Sequence, residues 1–259
     1  MKPSPLFTAV KARNEEIVDV RESATYKGVA LKTVFFLFFT LVTATLSYIF
    51  LPKIIEAAEN SGNTNPLGIY LGVIIAASIV SLIAGIVGRV SDRAAMVAGT
   101  IYALAEGFLL GSITSIVDHY MMQYAGLICV FGTFIIFGVM LVLYATGVIR
   151  VNNVFRSIIL GFFIGLIALI PFTIVLAIVG RFMDQTTKLW ICLGIEAFLL
   201  LYGVITLALN FAEAEGIVRA GAPKQSEWSV ALGMEISLVF IYIELLRILI
   251  LIASIVDRR

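Results

Sequence analysis

Seven long apolar stretches constrain this chain more than any other feature. They cover residues 29–51, 67–87, 95–117, 124–149, 157–180, 189–211 and 230–255. Each matches the roughly 20 residues that a helix needs to cross a bilayer. Each is also too long and too uniformly apolar for a core helix of a water-soluble domain. Strands of a membrane barrel would alternate apolar and polar residues, and none of these stretches does so. Helices are then the way to cross, because a helix satisfies its own backbone hydrogen bonds in lipid. The sequence therefore predicts an all-α integral membrane protein, a seven-helix transmembrane bundle (29–259) behind a polar tail (1–28).

The rest of the chain supports that class. Of its 259 residues, 61% are hydrophobic and 14% charged, against about 45–50% and 25% in a soluble domain. A net charge of +1 gives no basic field, so no nucleic-acid partner is expected. Two cysteines, Cys129 and Cys192, lie inside spans and read as small buried residues. The single histidine, His119, sits in a loop and cannot build a multi-histidine zinc site. No nucleophile elbow, no aspartate within a span and no lysine in the last span appear. An enzyme is accordingly not expected, and neither is a resident cofactor.

Orientation follows from the short loops, where lysine and arginine collect on the cytoplasmic side. The tail (Lys2, Lys11, Arg13, Arg21, Lys27) shares one side with Arg89, Arg93, Arg150, Arg156, Arg219 and Lys224. The other side holds Lys53, Arg181, Lys188, Arg258 and Arg259. The imbalance of 11 to 5 predicts a cytoplasmic N-terminus. Residues 53–66 read as a polar, turn-rich external loop.

An ionisable residue inside a span is costly, and so is a functional candidate. Glu106, Glu196, Glu235 and Glu244 qualify, with Arg247 as the only deep arginine, and Glu213 and Glu215 where the sixth span ends. Glu244 and Arg247 are three residues apart and share a helix face. They are either a local ion pair or a titrating acid whose proton affinity burial and the arginine pull in opposite senses. Nine residues of about 100° each put Glu235 half a turn from Glu244, so the two cannot pair. Glu235, near the cytoplasmic end, is expected to snorkel to the interface. Glu196 reads equally as a ligand, a proton site or a structural hydrogen-bond donor. Asn210 and Glu213 share a face and can reach the last span. Gly107 and Gly111, and again Gly161 and Gly165, form small-residue pairs that let helices approach. Pro171 is expected to kink the fifth span.

Several stretches together carry a family resemblance: ATYKGVALKT at 24–33, YALAEG at 102–107, GVIRV with Phe155–Arg156, RAGAPKQSEW at 219–228 and IYIELLR at 241–247. The chain resembles the Bax inhibitor family over nearly its whole length, in particular the bacterial YccA-like branch. The resemblance implies a multi-pass protein of a bacterial inner membrane whose last helix is central among the other six. It implies a pH-dependent calcium leak, sensed by a pair of acids at the end of the sixth helix and within the seventh, with an arginine from the end of the second. By that likeness Glu244 is the seventh-helix acid. Arg89 or Arg93, with Arg89 preferred, is the arginine. Asn210 and Ala212 stand near the expected sixth-helix aspartate, which leaves Glu213 to substitute or the pair incomplete. Partners are then the lipid bilayer and a cation, calcium above all. The alternative is a non-conducting regulator whose charged tail binds a membrane partner such as a quality-control protease. A proton-coupled transporter is a weaker third reading, since no internal repeat is visible.

Overall fold

The computed structural model describes residues 23–61, 65–148 and 183–256, with 161, 164–165, 167, 169, 171–176 and 178–180. Six long helices make up nearly all of it: α1 (Tyr26–Ser61), α2 (Asn65–Val90), α3 (Ala95–Tyr120), α4 (Ala125–Ala145), α5 (Gln185–Arg219) and α6 (Ser226–Val256). Each is long and apolar enough to cross a membrane, and the chain is a multi-pass membrane protein. Large apolar side chains such as Ile69, Leu82, Phe131 and Ile135 stand exposed on the outside, a surface suited to lipid rather than water. Ten of the 24 residues of the expected span at 157–180, and the tail up to residue 22, lie outside the described residues, as do Arg150 and Arg156.

The helices outrun the apolar stretches. At ~1.5 Å per residue, the 36 residues of α1 and the 35 of α5 exceed the ~30 Å hydrocarbon layer. Residues 53–61, expected as loop, instead extend α1 through Pro52. The stretch IIEAAE consists largely of good helix formers, and its apolar positions override the turn signals that follow. Likewise α5 continues past Phe211 through Glu213 and Glu215 to Arg219.

The core is organised around α6, which touches each of the other five described helices. Its residues enter three apolar clusters. Val230, Met234, Leu238 and Ile241 pack with Leu207, Ala208 and Phe211 of α5. Ala231 and Leu232 pack with Phe36, Ala84, Tyr102 and Ala103. Leu246 packs with Val117, Ala125 and Cys129. The resemblance implied this central place for the last helix.

Small residues set the closest approach. Cβ atoms on Gly107 or Gly111 would collide with the α1 backbone at Thr40 and Ala44, so this pair seals α1 to α3. The second pair does not act this way among the described residues. A Cβ on Gly161 would meet nothing within 4 Å, and one on Gly165 only the Phe198 ring at 3.3 Å. A buried hydroxyl triad ties α1, α2 and α3 together, with Ser47, Tyr70 and Ser112 mutually 2.7–2.8 Å apart.

At the end of the bundle where α1 and α6 begin, here called the tail end, Ser23 pairs with Pro223 in one antiparallel bridge. The amide of Ala24 donates to the Ala222 carbonyl at 2.8 Å. This strap fastens the start of α1 to the α5–α6 turn. The opposite end, with His119, is the far end.

Candidate functional site

The polar residues in the bundle fall into three groups at successive depths along α6. The first, at the tail end, surrounds Arg89. Its guanidinium reaches Glu213 of α5 through Nη2 (2.8 Å) and donates through Nη1 to the Ser229 carbonyl of α6 (2.9 Å). Asn210 donates to the Gly233 carbonyl (2.9 Å) and to the Ser237 hydroxyl (2.7 Å). Gly233 makes this possible, since a Cβ there would stand 2.6 Å from Arg89 Nη1 and 2.9 Å from Asn210 Oδ1. The structure thus brings together Arg89, Asn210 and Glu213.

A second ion pair lies beside it. Glu227, with none of its surface exposed, accepts from Lys32 Nζ at 2.6 Å and from the Thr25 amide at 2.7 Å. Lys32 also sits 4.7 Å from the centre of the Trp228 ring. Asp92 accepts from Ser226 at 2.6 Å, holding the first turn of α6. Neither Lys32, three residues inside the first apolar stretch, nor Glu227, three residues before the last, stands deep enough in a stretch to mark itself as a candidate. The signal was their place in two of the stretches that carry the resemblance.

The middle group centres on Glu235. It does not snorkel, because it is fully buried. One of its oxygens lies 2.5 Å from the Thr40 hydroxyl of α1, and the other has no hydrogen-bond partner. Its direction along α6 aims it into the α1–α3 seam, away from the interface. Glu106 of α3 is the acid whose charge bears on it.

The third group lies toward the far end. Arg247 Nη1 is 3.3 Å from Glu244 Oε1 and 3.7 Å from Glu196 Oε2 of α5. Glu244 is almost wholly buried, and Glu244 Oε2 and Glu196 Oε2 are both buried without a hydrogen-bond partner. Glu244 therefore does not join Arg89, Asn210 and Glu213. It lies seven residues beyond Ser237, about 10 Å further along the helix. The residue that meets Asn210 on the last helix is Ser237. Antiparallel neighbours meet at equal distances from the turn that joins them. Asn210 and Ser237 lie 13 and 14 residues from Pro223, and Glu196 and Arg247 lie 27 and 24. That count was available in the sequence.

The remaining acids are peripheral. Glu215 is bound by Tyr144 and Arg219 at the end of α5. Cys129 is packed in the core, and Cys192 is half-buried.

One family model covers nearly the whole chain. Described as Bax inhibitor 1 like, it matches residues 4–254. The chain belongs to the Bax inhibitor 1 like family. Searches of curated proteins and of solved structures gave no match. Within the Bax inhibitor fold, this chain has a neutral Asn210–Ser237 contact where α5 and α6 meet near Arg89, and a separate acidic group further along.

Proposed function

We propose that this Bax inhibitor-like protein is a proton-responsive cation leak that passes calcium, with its gate at the joint of Glu196, Arg247 and Glu244. One observation carries the reading. Carboxylates from two different helices share one guanidinium nitrogen, and an oxygen of each stays buried without a hydrogen-bond partner. A single guanidinium neutralises one carboxylate, so the joint holds a negative charge in excess whenever both acids are ionised. A proton taken up by either acid cancels that excess and changes the electrostatic tie between α5 and α6. Two packings of these helices then differ in stability by an amount set by proton concentration. Calcium, a hard cation that favours oxygen ligands, suits a route lined by carboxylates. Membership of the family, and the calcium leak that the resemblance implies, support the same reading.

The test is calcium flux against pH in liposomes, wild type beside Glu244→Gln. The reading expects a pH-dependent flux in wild type and a flattened pH profile in the variant. If both match empty liposomes, it fails.

A further inference from the structure

Glu235, like the ion-paired Glu227, is a fully buried acid that this gate does not use. It contacts Thr40, and the Thr40 hydroxyl has two neighbours: Glu235 Oε1 at 2.5 Å and the Phe36 carbonyl at 3.2 Å. A hydroxyl carries one hydrogen. If that hydrogen goes to Phe36, in the usual back-bond of a helical threonine, the oxygen of Thr40 is left as an acceptor. The group placed to donate to it is then a carboxylic acid O–H on Glu235.

Charge favours that arrangement. The titratable groups of α3 near Glu235 are Glu106 and Tyr102, neither of which supplies positive charge. On α1, Lys32 is eight residues from Thr40, about 12 Å toward the tail end, and is held by Glu227. From α2, Arg89 meets α6 at Gly233 and is engaged by Glu213 and the Ser229 carbonyl. On α5, Asn210 is neutral, and Glu196 and Glu213 belong to the other two groups. Residues 125–145 of α4 contain no acidic or basic residue. Among the described residues no cation reaches the Glu235 carboxyl. An ionised carboxylate in that position would be buried uncompensated, which is far more costly than burying the neutral acid. Among the described residues no group of three or more His, Cys, Asp or Glu side chains gathers there to hold a metal ion.

We propose that Glu235 is a proton-binding site inside the bundle, separate from the Glu196–Arg247–Glu244 joint. Its carboxyl O–H donates to Thr40, and the Thr40 O–H donates to the Phe36 carbonyl. The bound proton fastens α6 to α1. Its loss places a negative charge in the apolar seam opposite Glu106 and loosens that contact.

The test is infrared spectroscopy of the full-length protein in lipid vesicles, with glutamate labelled by carbon-13 at the side-chain carboxyl. The carbonyl stretch of a protonated carboxyl is resolved from that of a carboxylate. At neutral pH the wild type is expected to show a protonated-glutamate band that disappears in Glu235→Gln and persists in Glu244→Gln. Thr40→Val removes the acceptor and is expected to shift the band without abolishing it. A band untouched in folded Glu235→Gln overturns the proposal. If that variant is not recovered folded, Thr40→Val decides, and an unmoved band overturns it. A band that appears only after a calcium chelator is added also overturns it, because the site then holds the metal. The measurement needs no ion flux, so it stands or falls apart from the leak.

Discussion

At the tail end, the charged groups that reach α6 meet opposite charges: Lys32 with Glu227, and Arg89 with Glu213. Nearer the far end, Glu196 and Glu244 compete for Arg247, and one buried oxygen of each has no hydrogen-bond partner. Both regions join the same α6 to its neighbours with the same kinds of side chain. The difference is one of balance. A carboxylate beside a matching cation takes up a proton only at lower pH, so the tail end reads as a clasp. An unmatched joint can accept a proton, so the far group reads as a switch. The presence of an acid in a membrane helix is thus less informative than the count of its partners.

The largest expected effect comes from breaking the clasp. Lys32→Met leaves Glu227 buried without its cation, and should destabilise the protein by about 3–5 kcal/mol. Thermal unfolding in detergent measures this, and an unchanged midpoint would show that the pair is not a clasp. Gly233→Ala should cost about 1–3 kcal/mol by overpacking, because a Cβ there presses on both Arg89 and Asn210. The same assay reads it. The sharpest contrast is Glu213→Gln against Glu244→Gln. The first leaves Arg89 short of its countercharge and should cost up to about 1 kcal/mol, since the pair is partly exposed. The second leaves Arg247 and Glu196 one to one and should cost nothing measurable. Equal losses would erase the distinction between the two regions.

The smallest effect is at the start of α5. Asp184 caps this helix, accepting from the Thr187 hydroxyl at 2.6 Å and the Thr187 amide at 2.9 Å. These bonds, the hydroxyl first, hold its carboxyl below the usual aspartate range. A lowered value means that the cap contributes fully above the unfolded value of about 3.9. Its contribution is lost as pH falls through the lower folded value. Amide exchange in the first turn of α5 should therefore speed up in acid relative to neutral pH once intrinsic rates are allowed for. Asp184→Ala should remove that pH dependence.

The apolar stretches made most of the fold legible, and the described helices follow six of the seven expected spans. Their ends were not legible, because 53–61 and 212–219 are polar yet helical, and hydropathy marks where lipid ends rather than where a helix does. The site was legible by residue type more than by partner. Helical phase correctly separated Glu235 from Glu244. It could not say which neighbour each would face, and a motif likeness drew Glu244 toward Arg89. The pairing of Lys32 with Glu227 joins residues at opposite ends of the chain, and no local pattern reports such a contact.

The central position of α6 has a consequence for biogenesis. A ribosome makes the core helix after the five that surround it. Until it arrives, Phe36, Leu207 and Arg89 lack the surface that covers them. Its three buried glutamates must enter the bilayer together with that helix and find Lys32, Thr40 and Arg247 as they do so. Assembly is therefore completed from the inside, and a nascent chain halted before residue 226 leaves the other five described helices without the one that each of them touches.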